Sequence, residues 1–133
     1  MSEIDIDEVD TESALVDEWR RLLARHATVC GAVEHELQQR HGIGVNEFEA
    51  LERLVEVDAD KCRGQELTGA LPLSQSAASR LVARLEKQGL VTRSMCDKDR
   101  RGIFVAITQA GRERYLAARP TQRAVLAATM RST

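Results

Sequence analysis

Seven hydrogen-bonding side chains gather in one short stretch: Ser74, Gln75, Ser76, Ser79, Arg80, Arg84 and Lys87. On a helix, Ser76, Ser79, Arg80, Ala83, Arg84 and Lys87 share one side, with Gln75 beside them at the N-terminal end. Ala78, Leu81, Val82 and Leu85 fall on the other side, at the i, i+3, i+4, i+7 spacing that buries a helix against its neighbours. The polar side has the chemistry of base recognition. Glutamine matches an adenine edge, arginine a guanine edge, and serine either a base or a phosphate. Its small side chains let a helix come close to base edges, and the free N–H groups at the helix start suit an anion. An ordinary solvated face is the plainer reading of the same residues.

A second cluster follows at residues 96–102, Cys96-Asp97-Lys98-Asp99-Arg100-Arg101-Gly102. Arg100 and Arg101 at a hairpin tip could enter a minor groove, where narrow A·T segments attract guanidinium groups. Asp99 would repel phosphate, so its expected role is to hold Arg93 or Arg80 in a fixed pose by a bidentate pair. A flexible charged turn without a partner is the alternative. Cys96 lies near Arg93, Lys98 and Arg100 in sequence, and positive neighbours make a thiol more reactive. Oxidation there would disturb the hairpin, although no resolving cysteine is evident.

Other constellations are weaker. His26, Cys30 and Glu34 recur at i, i+4, i+8 and could share one helix face as metal ligands. His26 and Cys30 also fit a buried apolar stripe, so a structural role is expected, with no metal and no other cofactor. No paired nucleophile and base and no glycine-rich phosphate loop appear, and no enzymatic activity is expected.

The elements that must carry these residues follow from periodicity and punctuation. Leu15, Trp19, Leu22, Leu23, His26, Val29, Val33 and Leu37 recur at three- and four-residue steps, predicting one amphipathic helix from Glu12 to about Arg40 that stops at His41-Gly42. Asn46 and Glu49 resemble a capping box for a helix that turns Phe48, Leu51, Leu54 and Val55 inward. Residues 58–64 read as a loop. A short helix over 64–71 is closed by Pro72, and Ser74 caps the polar-faced helix, which runs to Gln88 and stops at Gly89. Residues 90–95 and 103–107 read as two strands around the charged loop. Thr108 caps a last helix from Gln109, with Pro120 a kink or break inside it.

Composition sets the frame. At 133 residues one domain is favoured, and with 43% hydrophobic but only 3% aromatic residues the core must be built from Leu, Val, Ile and Ala. The formal net charge of −2 is unlike a typical nucleic-acid binder, but the charge is uneven. Glu3, Asp5, Asp7, Glu8, Asp10 and Glu12 make an acidic tail, expected to be disordered over residues 1–11. Residues 80–101 are locally basic, and a phosphate surface responds to the local field. Three widely spaced cysteines without a CxxC pair suggest neither a disulfide framework nor a zinc ribbon. With no signal peptide and no apolar run of about 20 residues, neither membrane association nor export is expected, and a cytoplasmic location fits.

Helix, helix, short helix, helix, hairpin, helix is the order of a winged helix-turn-helix: a mainly α fold with a small β-hairpin wing. Leu73-Ser74-Gln75-Ser76, Ser79-Arg80-Leu81-Val82, Gly89-Leu90-Val91, Arg93, Asp99-Arg100-Arg101 and Thr108-Gln109-Ala110-Gly111 together resemble the multiple-antibiotic-resistance regulator (MarR) family, from about Trp19 to about Val125. The resemblance implies a homodimeric bacterial transcription factor, a repressor on a pseudo-palindromic double-stranded DNA operator, released by a small-molecule inducer or by oxidation. It implies recognition-helix contacts at Ser74, Gln75, Ser76, Ser79, Arg80 and Arg84, and wing contacts at Arg100 and Arg101. Residues 46–108 would form the DNA-binding part of one domain spanning 12–133, with 12–42 and 109–133 as flanking dimerisation helices. Two departures stand out. The family dimerises through its first helix and two C-terminal helices, whereas this sequence stops at Thr133. Its few aromatics do not favour a stacked phenolic ligand. A different class, a winged-helix protein-interaction module with an acidic partner, would call for exposed aromatics rather than Ser, Gln and Arg.

Overall fold

The computed structural model describes residues 6–57, 62–96 and 99–131; for residues 6–8, 62–65, 68, 96 and 99–102 it describes the backbone alone. The order is α1 (Ile6–His41), α2 (Val45–Glu56), β1 (Cys62–Arg63), α3 (Gly64–Ala70), α4 (Gln75–Lys87), β2 (Val91–Cys96), β3 (Asp99–Ile107) and α5 (Gln109–Arg131). The mainly α architecture with a β-hairpin wing is the one the sequence implies.

Helix α1 begins earlier than expected. Residues 6–11, assigned to a disordered tail, continue the helix, and acidic residues in its first turns favour that start through the helix dipole. At 36 residues it is about 54 Å long, and only its C-terminal half enters the core. Val33 and Leu37 are buried and Val29 packs beside them, whereas Leu15, Trp19, Leu22 and Leu23 are exposed. The apolar stripe read from the sequence is therefore real, but half of it is exposed among the described residues. His26 is likewise exposed and Cys30 half-buried, which removes both from the core. Gly42 ends the helix, its N–H donating to Gln38 O at 3.1 Å.

The start of α2 differs from the Asn46–Glu49 expectation by two residues. Gly44 is the N-cap, and its N–H donates to the carboxylate of Glu47. The next N–H, of Val45, donates to Glu34 Oε2 of α1 at 2.8 Å. A neighbouring helix thus satisfies the N–H after the N-cap, one of the donors that a helix start leaves without an intrahelical partner. The inward face is as expected: Phe48, Leu51 and Leu54 are buried and Val55 packs against them.

Cys62–Arg63, expected as loop, forms a third strand. The sheet order is β1-β3-β2, all antiparallel, with Cys62 opposite Val105 and Arg63 opposite Phe104. Two residues cannot show a period-two pattern, so nothing local marks this strand. The wing also corrects the sequence reading. Strand β3 begins at Asp99, not Ile103, so residues 99–102, expected as loop, belong to the strand. Val91 faces Ile107, Arg93 faces Val105 and Met95 faces Ile103; an irregularity then follows before Cys96 faces Asp99. Backbone pairing extends a hairpin through residues of poor strand propensity once its base is fixed.

Helix α4 and its exits fit the expectation closely. Ser74 Oγ accepts from Ala77 N at 3.2 Å. At the other end Leu90 N donates to Leu85 O at 2.9 Å and Gly89 N to Glu86 O at 3.0 Å, the paired bonds of a Schellman stop. That stop needs a left-handed residue, and Gly89 supplies it at φ +76°. Helix α5 then runs 23 residues through Pro120 without a break. It stands where the resemblance implies two C-terminal helices. It lies on α1, with Arg25 Nη2 donating to Met130 O at 2.7 Å and His41 Nε2 lying 2.8 Å from Thr121 Oγ1. Leu37, Ile43, Phe48, Leu51, Leu81, Leu85, Leu90, Val91 and Val105 fill the centre.

Candidate nucleic-acid interface

Helix α4 divides into the two faces that its spacing dictates. Ala78, Leu81, Val82 and Leu85 are buried, and Gln75, Ser76, Ser79, Arg80, Ala83, Arg84 and Lys87 are exposed. The structure brings the expected contact residues onto one solvent-facing surface. Ser74 is exposed, but its hydroxyl oxygen is engaged by the N-cap bond, with Ser76 Oγ 3.4 Å away. Arg84 remains largely open to solvent, yet its Nη2 lies 3.6 Å from Glu47 Oε1. Glu47 therefore spans two elements, capping α2 and facing the guanidinium of α4.

The wing meets α4 through Arg93. Its Nε and Nη2 donate to Glu86 Oε1 at 3.1 and 2.8 Å, and its backbone N–H donates to Glu86 Oε2 at 3.2 Å. The Arg93 guanidinium holds the Glu86 carboxyl below the usual carboxylate range, and Glu86 in turn raises Arg93. Nothing in the local sequence marks Glu86, an acidic residue in the basic stretch 80–101, as the partner of Arg93. The side chains of Cys96, Asp99, Arg100 and Arg101 lie outside the described residues, so the expected Asp99 pairing and the wing contacts remain expectations. The backbones of these residues form the outer end of the β2–β3 hairpin.

Behind the interface, one carboxylate joins α2 to α5. Glu52 Oε1 accepts from Tyr115 Oη at 3.0 Å and from Arg123 Nη2. Arg123 Nη1 also donates to Gln122 Oε1 at 2.8 Å, and the guanidinium lies 5.9 Å from the Phe48 ring centroid. Phe48 and Tyr115 rings are 5.3 Å apart. Burial pushes Glu52 up, but the hydrogen bonds from Arg123 and Tyr115 outweigh it and leave the carboxyl below its ordinary value. Burial, aided by Glu52, raises its neighbour Glu49. The sequence carried one signal for this cluster: Glu52 sits at the i+4 position of the stripe Phe48, Leu51, Val55.

His26, Cys30 and Glu34 do not converge. Cys30 Sγ lies 3.3 Å from His26 Nε2, but Glu34 turns to Val45 and to Gln38 Nε2. Among the described residues no group of three His, Cys, Asp or Glu could hold a metal ion, and no helix is long and apolar enough to cross a membrane.

A family model described as MarR family matches residues 41–102, from the end of α1 into β3. No sequence relative was found among curated proteins. Among solved structures, the chain is similar to AbsC, a MarR family transcriptional regulator from Streptomyces coelicolor, with 28% identity over 97% of this chain and 82% of that one and a TM-score of 0.77. A second Streptomyces coelicolor MarR family transcriptional regulator, solved in complex with DNA, is 29% identical over 89% of this chain and 75% of its own, with a TM-score of 0.80. CouR from Rhodococcus jostii, bound to p-coumaroyl-CoA, is 28% identical over 78% of this chain and 71% of its own, with a TM-score of 0.67. Residues 41–102, which carry α2, α4 and the start of the wing, thus match the MarR family, and the chain as a whole is similar to winged helix-turn-helix transcriptional regulators of that family.

Proposed function

We propose that this chain is a dimeric, cytoplasmic repressor that binds a pseudo-palindromic duplex operator. Each subunit lays α4 in the major groove and its wing along the adjacent minor groove. The observation that carries this reading is the exposed row Gln75, Ser76, Ser79, Arg80 and Arg84 on a helix whose opposite face is locked into the core. Arg80 and Arg84 have the reach for guanine edges or phosphates, and Gln75, Ser76 and Ser79 sit at the helix start, where side chains meet bases. Arg100 and Arg101 extend the contact from the wing. Residues 46–108 form the DNA-binding part.

Dimerisation has an obvious surface. Leu15, Trp19, Leu22 and Leu23 on α1 and Leu116 and Met130 on α5 are exposed apolar side chains on the two long flanking helices. Burying such a patch against a second copy would set two recognition helices about 34 Å apart, one turn of duplex. A structural relative solved with p-coumaroyl-CoA, an acyl thioester, supports release by a small-molecule inducer. Cys96 supports release by oxidation as the alternative. The reading assigns the chain no catalysis.

The test is titration against the DNA upstream of its own gene at several salt concentrations, with Arg80→Ala and Arg101→Ala alongside. Tight, sequence-selective binding that falls steeply with salt, weakened by each substitution, supports the proposal. Binding that is absent or indifferent to salt refutes it. For the oxidation arm, Cys96→Ser should bind DNA normally and lose any peroxide response; a parent protein unmoved by peroxide removes that arm.

A further inference from the structure

The Glu86–Arg93 contact sits where the wing leaves the core. Val91 and Val105 are buried, and Arg93 is paired with Val105. Two pairs further out, Met95 and Ile103 are 70% and 49% exposed, so among the described side chains the hairpin has left the core by that point. Strand β2 is an edge of the sheet. The Arg93 N–H therefore has no strand to receive it, and Glu86 Oε2 takes that bond while Oε1 takes two from the guanidinium. A carboxylate near the end of the recognition helix thus grips both the backbone and the side chain of a β2 residue at the base of the wing. We infer that Glu86 is a positioning residue for DNA binding, which sets the angle between α4 and the wing so that both reach the duplex together.

The inference rests on the proposed DNA-binding function. Two linked contacts reinforce each other only when the linkage holds them at the spacing of their sites. If the grip is lost, the wing must be ordered at each binding event, and affinity falls although no DNA-contacting group has been removed. Simple electrostatics gives the opposite sign. Glu86 lies between Arg84 and Lys87 in sequence, and removing a negative charge beside a polyanion should tighten binding.

The experiment measures operator affinity of the full chain and of Glu86→Gln at several salt concentrations, in the parent and Arg101→Ala backgrounds. Expected is about a tenfold loss for E86Q, with the slope of log affinity against log salt unchanged because no phosphate contact is lost. In the R101A background E86Q should add little, since the wing is already uncoupled. Arg93→Gln, which removes the other half of the grip, should lose affinity too, and the E86Q/R93Q pair no more than R93Q alone. E86Q binding as tightly as the parent, or more tightly, overturns the inference, as does an equal loss in the R101A background. A parent protein with no salt-dependent operator binding contradicts the underlying function instead.

Discussion

Thr108 does two jobs with one hydroxyl. It accepts from Gly111 N at 3.0 Å, which caps α5, and donates to Gly89 O at 2.7 Å, which ties that cap to the stop of α4. Gly111 lies so close to this junction that a Cβ there would stand 2.2 Å from Leu90 O, a rigid backbone atom. Gly111→Ala should therefore cost about 1–3 kcal/mol, read as a lowered urea midpoint. Gly69→Ala, in α3 where a Cβ meets nothing within 4 Å, should be neutral or mildly stabilising. Equal midpoints for the two would contradict the packing described. Glu52 makes a pH prediction. Its folded-state pKa is depressed, so its contribution is present above the ordinary carboxylate range and is lost as pH falls through the lowered value. The stability gap between the parent and Glu52→Gln should be widest at neutral pH and close on acidification. A gap that stays constant with pH would mean that the ionised carboxylate is not what Tyr115 and Arg123 bind.

At the scale of elements, α4 is the clearest case of a helix whose two faces have separate tasks. Leu81→Ala should cost about 2–5 kcal/mol of stability, because Leu81 is fully buried. Ser79→Ala, on the exposed face, should leave stability within about 0.5 kcal/mol while weakening operator binding. Denaturation and titration of the same two variants check both halves of this statement. This helix was legible in the sequence because everything defining it is local: Ser74 before it, Gly89 after it and a 3.6-residue period between. What escaped depends on distant partners. Strand β1 is two residues long and is recognisable only through Val105 and Phe104, some forty positions away. The start of α2 is satisfied by Glu34 from another helix. Glu86 meets Arg93 across a helix-to-strand junction whose geometry no periodicity reports, and the early start of β3 is imposed by pairing with β2.

At the scale of the whole molecule, the sequence reveals an apolar stripe on α1 but not what covers it. Among the described residues half of that stripe is exposed, with Leu22 at 60% and Trp19 at 56%. Leu22→Glu should shift the protein towards monomer in sedimentation experiments and lower operator affinity with it, leaving the fold of residues 46–108 intact by circular dichroism. A dimer that survives this change would place the subunit interface elsewhere. The account as a whole turns on α4 reading base edges. Its most direct test compares parent and Arg80→Ala on a panel of operators in which each base pair is changed in turn. The account requires the parent to discriminate at several symmetry-related positions, and Arg80→Ala to become indifferent at one position in each half-site. A variant that binds every sequence in the panel uniformly more weakly, with the parental pattern of preferences intact, would contradict it.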